Sequence, residues 1–397
     1  MIGFEPTDEQ RLLRETAKGF ADRSIRPLVE RVKREGVGDD PWSLMRPVYA
    51  EGVALGLTRI FLPPEHGGMG GSCLDAAVML EELGAADVGI ASDYFSLTAC
   101  MPLMMMRGGR PDQAQAFLTE FASAPDMVLA GAQSEPNVPG SELMTGAVDP
   151  AHGPKLRAEK RGDEYVLSGS KSAFITNAGA ASHFFIIART HPERSVMEGL
   201  TVLHVPAGTP GLKVGKRTEL IGWPLSTHAE LVFEDVAVPQ ANRIGDEGGA
   251  AMLFARLPEM PVCLAACFVG LARQAYETAL AYAKERRSTG QPLIEHQAVA
   301  LRLADMAVEL QAARLMVWDA ARACETDPMV AGVFKAPAAK AKAVDVAIKC
   351  AEGCVKIHGG YGVTREYDAG RYLNDAWIGY SCDFTRDILH LGIARFL

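Results

Sequence analysis

KIHGGYGVTREYDAGRYLNDAWIGYSCDFTR, residues 356–386, lies near the end of a chain of 397 residues. It gathers a Gly-rich turn, four tyrosines, a cluster of opposed charges and one isolated carboxylate, Asp383. Working outward, the segment before it (331–358) is long, apolar and helical in spacing, with Pro337 in its first turns. Upstream again, Val299, Leu303, Met306, Leu310, Ala313 and Val317 recur at intervals of four and three, an apolar seam of near-heptad period. Residues 262–286 form a comparably apolar helix. Helices this long and apolar need partners on more than one face, which predicts a helical bundle that is also an oligomer interface.

Between residues 128 and 238 the pattern changes to short β-rich runs split by turn residues: EYVLSGSK (164–171), FFIIA (184–188), LTVLHV (200–205) and AELVFEDVAV (229–238). The gaps are mostly too short for crossover helices, so an antiparallel barrel or sandwich is expected. Residues 8–125 read as helices again. Thr7 or Asp8 caps the first, whose stripe is Leu12, Leu13, Thr16 and Phe20, and Glu81 and Glu82 fall on the wet side of the helix after Cys73. The expected architecture is α+β in three domains: an N-terminal helical domain (1–125), a central β-domain (126–240) and a C-terminal four-helix bundle (241–397). The segment 91–109 is apolar nearly all round yet carries Asp93. Two readings stand for it: a cap on the next helix, or a polar group inside a ligand cavity.

A net charge of −9 argues against nucleic-acid binding, since a phosphate backbone needs a basic face. No run of eighteen apolar residues suggests a membrane span, and the first ten residues have no secretory pattern. The eight cysteines are scattered through apolar stretches, which fits reduced thiols in a cytoplasmic protein rather than a disulfide framework. Cys263/Cys267 and Cys350/Cys354 have i,i+4 spacing but no matching His pair, so no metal site is expected.

Four local patterns stand in order: SEPNVPGSE (134–142), GSKSAFITNAG (169–179), YAKERRSTGQPLIEHQAVALRLADM (282–306) and HGGYGVTREYDAGRYLNDA (358–376). With the α–β–α order, they resemble the acyl-CoA dehydrogenase family of flavoproteins over nearly the whole chain. The resemblance implies FAD, an acyl-CoA substrate, an electron-transfer flavoprotein as electron acceptor, and a homotetramer. It places Phe174 against a flavin face where Trp is usual, and Thr176 at the reactive nitrogen edge. Gln133 and Ser134 take the ring's polar edge. Arg286 and Gln297 match positions that hold the diphosphate and adenine side across a subunit boundary, Gly359 and Gly360 match the glycine pair beside the adenosine, and Thr385 counts with the cofactor residues. Ser141 falls on the substrate side. Lys356 stands where Gln is common, Thr289 where an aromatic is common, and the first loop is one residue long.

The family's usual base is a Glu in a Tyr-Glu-Gly-Thr turn, which falls here on Cys382-Asp383-Phe384-Thr385. The carboxylate is kept but shortened, and Phe384 replaces the Gly. The family's second base position falls on Met260, with Glu259 one residue, about 100°, off. Asp383 is therefore the expected base, and Asp93 a second catalytic or substrate-binding carboxylate. Together they suggest a short, branched, cyclic or polar acyl group, with 1,4-type dehydrogenation open. Two other readings stand: a nitroalkane-oxidase-like flavoprotein, which uses Asp at the base position, and an inactive relative acting as a scaffold. Flavin monooxygenases on the same scaffold make a smaller class.

Overall fold

The computed structural model describes residues 5–144 and 146–397. Helix α1 (Asp8–Phe20) starts at Thr7, whose hydroxyl accepts from the Gln10 amide while Gln10 Oε1 accepts from the Thr7 amide, a reciprocal cap. Its inner face is Gln10, Leu13, Ala17 and Phe20, and Leu12 turns out to solvent instead of joining the stripe. Helices α2 (Arg26–Glu35), α3 (Pro41–Ala54), α4 (Cys73–Ala86), α5 (Val88–Gly108) and α6 (Pro111–Ser123) complete the first third. Among the described residues α5 alone is long and apolar enough to cross a bilayer, but 94% of its apolar window is buried inside the fold. It carries a π-helical turn at Ala91–Ser96, the local irregularity that often marks a functional site.

Among the described residues the central sheet has eight strands: β1 (Leu129–Ala132), β2 (Arg157–Arg161), β3 (Glu164–Ile175), β4 (His183–Arg189), β5 (Leu200–Pro206), β6 (Leu212–Arg217), β7 (Ala229–Pro239) and β8 (Arg243–Ile244). Their order is β6-β7-β3-β2-β4-β5-β8, with β1 beside β4. The expectation of an all-antiparallel barrel or sandwich needs correction. The sheet is mixed, because β4 pairs in parallel with both β1 and β2, and its end strands β6 and β8 do not pair to close it. Parallel pairing needs a long connection, and here β2 and β3 themselves lie on the path from β1 to β4.

The last third is the expected bundle: α7 (Glu259–Glu285), α8 (Gln297–Thr326), α9 (Ala336–His358) and α10 (Ala369–Ser381), followed by α11 (Arg386–Ala394). The α8 seam is buried from Leu303 to Val317, with Val299 half-buried at its start. Seven of the eight cysteines are buried as free thiols. One hydrophobic core runs through α1, α3, α4 and α5 and on into α7, α8, α9 and α10, so the two helical thirds share an interior that the sequence reading divided.

Helix α4 is the centre of that interior. A Cβ on Gly84 would stand 2.2 Å from the Cys267 carbonyl oxygen, and one on Gly270 2.2 Å from that of Glu81, so α4 and α7 cross almost backbone to backbone. Glu81 and Glu82 are consequently not on a wet face: they are 6% and 4% exposed. Arg273 of α7 bonds both, at 3.1 and 2.7 Å, with Arg314 of α8 on Glu81 at 2.8 Å and Arg14 of α1 on Glu82 at 2.6 Å. Breaking a buried pair strands a charge in low dielectric. Arg273→Met is expected to cost about 3 kcal/mol, the low end for a buried pair because Arg14 and Arg314 remain. Chemical denaturation of the FAD-loaded protein reads this directly.

Candidate active site

Helix α10 ends at Ser381, and the chain turns through Cys382, Asp383, Phe384 and Thr385 into α11. Asp383 and Phe384 both have positive φ, 47° and 73°. That region is uncommon for Asp and a true outlier for a bulky ring, so the turn needs an outside hold. Lys340 of α9 supplies it. Its side chain is 1% exposed, and its ammonium donates to the carbonyls of Gly379 (3.2 Å), Cys382 (2.6 Å) and Phe384 (2.7 Å). All three N–H bonds are used. Burial pushes the Lys340 pKa down, while Cys382, Asp383 and Asp345 pull it back.

Asp383 keeps accessible surface, yet protein crowds closely around its carboxyl. That crowding pushes its carboxyl above the ordinary value, and the Lys340 charge pulls it part-way back. A base raised toward working pH is what proton abstraction from a weak carbon acid needs. Glu259 is placed differently: it is buried at the start of α7 and gripped by Arg107 through two bonds of 2.7 and 2.8 Å. An ion pair of that kind occupies the carboxylate.

The end of β3 forms the second wall. Phe174 is 62% exposed, an aromatic face held open on a strand. Thr176 follows two residues later, half-buried, with its Oγ1 3.1 Å from His228 Nε2. Asn177 adopts φ 63° and donates through Nδ2 to the Asp93 carbonyl (2.5 Å) and the Leu129 carbonyl (3.2 Å), tying α5, β1 and β3 together. Asp93 does not cap a helix. It lies in the π-helical turn, 2% exposed, with its carboxylate bonded by the Ser226 hydroxyl and 3.8 Å from His228 Nδ1. Burial pushes its carboxyl up to about 7, against the Ser226 bond. Burial pushes the Cys382 thiol up to about 12, and the Asp383 and Asp93 charges add to that shift.

The loop after β1 is stitched to β3. Gln133 Nε2 donates to the Gly140 carbonyl at 2.7 Å, and the Ser134 and Ser172 hydroxyls meet at 2.6 Å. Beneath them lies a pair that the sequence reading missed: Lys171, fully buried, donates to Glu135 at 2.8 Å and to the Gln133 carbonyl at 3.1 Å. Glu135 in turn accepts from the Lys155 and Leu156 amides. The signal was legible, since each residue sits inside a motif already singled out. Ser141 lies in the short helical turn Gly140–Met144 at the outer end of this loop.

At the far end of α9, Arg286, Tyr282, His358, Gly359, Gly360 and Tyr361 line an open cleft of about 480 Å³. His358 stacks on Tyr282 at 4.0 Å, and the Arg286 guanidinium lies 5.6 Å from the Tyr361 ring. Gly359 ends α9 with φ 60°, a conformation that costs glycine nothing. Gln297, the first residue of α8, is exposed and does not line this cleft within one chain. Thr385 opens α11.

Three family models match this chain in order. They are "Acyl-CoA dehydrogenase, N-terminal domain" over residues 7–125, "middle domain" over 130–236 and "C-terminal domain" over 247–397. The chain belongs to the acyl-CoA dehydrogenase family. A relative in Bacillus subtilis, the probable acyl-CoA dehydrogenase YngJ, is 35% identical over 399 residues, covering 100% of both chains. The structure of butyryl-CoA dehydrogenase from Megasphaera elsdenii matches with a TM-score of 0.90 at 30% identity, over 100% of this chain and 99% of its own. An FAD complex of PigA matches with a TM-score of 0.89 at 25% identity, over 100% and 99%. This acyl-CoA dehydrogenase is an FAD-dependent oxidoreductase. The residues present suit a flavin dinucleotide: an exposed ring at Phe174, a hydroxyl at Thr176, and an arginine beside glycine backbone in the cleft.

Proposed function

We propose that this acyl-CoA dehydrogenase acts on a short, branched or cyclic acyl-CoA and that Asp383 takes the α-proton. The observation that carries this reading is the pinned turn. It holds an accessible carboxylate, raised in proton affinity, on a backbone that Lys340 fixes at three carbonyls. As the α C–H bond breaks, its proton goes to Asp383 and its electron pair forms the new C=C bond. The β-hydrogen leaves with its own pair. Bound FAD supplies the acceptor for that hydrogen and pair. Phe174 would cover one ring face, Gln133, Ser134 and Thr176 would meet its polar edges, and Arg286, Gly359 and Gly360 would hold the diphosphate and adenosine. Gln297 of a second subunit and Thr385 would complete that housing, and Ser141 would meet the substrate. A homotetramer passing electrons to an electron-transfer flavoprotein completes the proposal.

Asp93 is buried, with its carboxylate bonded by the Ser226 hydroxyl and facing His228. That favours α,β- over 1,4-type dehydrogenation and suggests that Asp93 acts through its neighbours. A second reading, a nitroalkane-oxidase-like flavoprotein, draws on the Asp at the base position. Anaerobic mixing with straight, branched, cyclic and dicarboxylic acyl-CoAs, and separately with nitroalkanes, distinguishes them. Bleaching of the bound flavin by short or branched acyl-CoAs is expected. Bleaching by nitroalkanes alone would sink the acyl-CoA reading, and no bleaching at all would point to an inactive scaffold.

A further inference from the structure

Behind Thr176 lies a chain of polar groups that the reaction above does not use. His228 Nε2 is 3.1 Å from the Thr176 hydroxyl. The other ring nitrogen, Nδ1, is buried with no hydrogen-bond partner among the described residues, and it faces Asp93 Oδ2 at 3.8 Å. Asp93 Oδ2 is also gripped by the Ser226 hydroxyl. A buried nitrogen without a partner is unfavourable, and a gap of 3.8 Å is too long for a hydrogen bond. The joint is therefore open in this arrangement and closes with a shift on the order of 1 Å.

We propose that Asp93, Ser226 and His228 form a relay that sets whether the Thr176 hydroxyl gives or takes a hydrogen bond at the flavin edge, and so couples the flavin's redox poise to pH. This rests on the proposed placement of Thr176 beside the ring. The neutral imidazole has one N–H and one bare nitrogen. With Asp93 protonated, its hydrogen serves His228 Nδ1, His228 Nε2–H donates to Thr176 Oγ1, and the Thr176 hydrogen points out. With Asp93 ionised, the imidazole N–H sits on Nδ1 facing the carboxylate. Nε2 is then bare and takes the Thr176 hydrogen inward. The two arrangements differ by one proton, which passes from Asp93 to water. An oxidised flavin accepts a hydrogen bond at its reactive nitrogen and a reduced one donates there, so the first arrangement suits the oxidised ring and the second the reduced.

The surroundings keep both arrangements within reach. Burial pushes the Asp93 carboxyl up to about 7, Ser226 lowers it and Asp87 raises it. Burial and the Arg217 charge push His228 down to about 4, so it stays neutral while Asp93 titrates. Tyr94 and Cys382 also feel the Asp93 charge; both are pushed up by burial and stay protonated. Asn177 meets Asp93 at the backbone carbonyl and not at the carboxylate.

The test is the midpoint potential of the bound flavin, followed from mildly acidic to mildly alkaline buffer. The expected plot bends near neutral pH, where the relay gives up its proton on reduction. A tenfold preference of the second arrangement for the reduced ring reads as about 30 mV in this two-electron couple. Asp93→Asn and His228→Gln should each keep FAD and lose the part of the bend that the relay adds to the reduced flavin's own ionisation, and a plot for His228→Gln that matches the unmutated protein's overturns the relay. Thr176→Val separates the two levels. If it leaves the flavin spectrum and potential untouched, Thr176 is not at the ring and the site reading fails. If it shifts both while His228→Gln changes nothing, only the relay fails. Nitrogen-labelled histidine in the unmutated FAD-loaded protein gives a reading free of folding risk. The His228 N–H should sit on Nε2 at low pH and on Nδ1 at high pH, and a tautomer that never changes overturns the proposal.

Discussion

Asp383→Asn leaves FAD bound and slows reduction of the flavin by acyl-CoA by about 10²–10⁴-fold, the usual worth of a positioned general base. The substitution suits the site. Asn tolerates positive φ as well as Asp does, so the turn at φ 47° is kept and the loss reports chemistry rather than backbone. Asp383→Glu is the companion. It restores the family's longer side chain but on a turn set for the shorter one, and a misplacement on the order of 1 Å costs about 10²-fold. Rapid anaerobic mixing measures both. An unchanged rate in Asp383→Asn would remove Asp383 from the base position.

Lys340→Met should produce the second large effect. Methionine is nearly as long as lysine but donates nothing, so the carbonyls of Gly379, Cys382 and Phe384 lose their shared partner. Charged hydrogen bonds are individually worth about 1.5–3 kcal/mol. The buried ammonium has its own desolvation cost, so the net loss of stability is about 3 kcal/mol. The kinetic signature is more specific. Lys340 is the charge that lowers the Asp383 pKa against burial. Without it that pKa rises, and since the base works only when ionised, the acidic limb of the rate profile moves to higher pH. The variant therefore loses more activity in acid than in alkali. An acidic limb that does not move would show that Lys340 holds the turn without tuning the base.

Much of this was legible in the chain. Periodicity gave the helical thirds, the α8 seam and the β-rich centre, because each depends on spacing along one element. The motifs gave the family. What spacing could not give was partnership between distant elements. Glu81 and Glu82 look like a wet face until α7 and α8 arrive with Arg273 and Arg314. Asp93 stands in an apolar segment that gives no sign of its neighbours Ser226 and His228, which lie 133 and 135 residues away. Lys340 escaped notice because a lysine in an apolar helix carries no mark of the three carbonyls that it will meet. Parallel pairing of β4 with β1 and β2 is likewise invisible to a rule that reads short gaps as antiparallel.

The shared helical core has a consequence for synthesis. Helices α1 to α5 leave the ribosome with an apolar face whose principal partner, α7, begins at Glu259, about 170 residues after α4 ends. At roughly 5–20 residues per second, that face waits on the order of ten seconds or more for its cover. Contacts of such long sequence separation are also slow to close. The first third of this protein is thus a nascent segment that needs shelter, by a chaperone or by provisional packing on the emerging sheet. Substitutions on the α4–α7 crossing should lower the yield of folded protein in cells more than they lower the stability of the molecules that do fold.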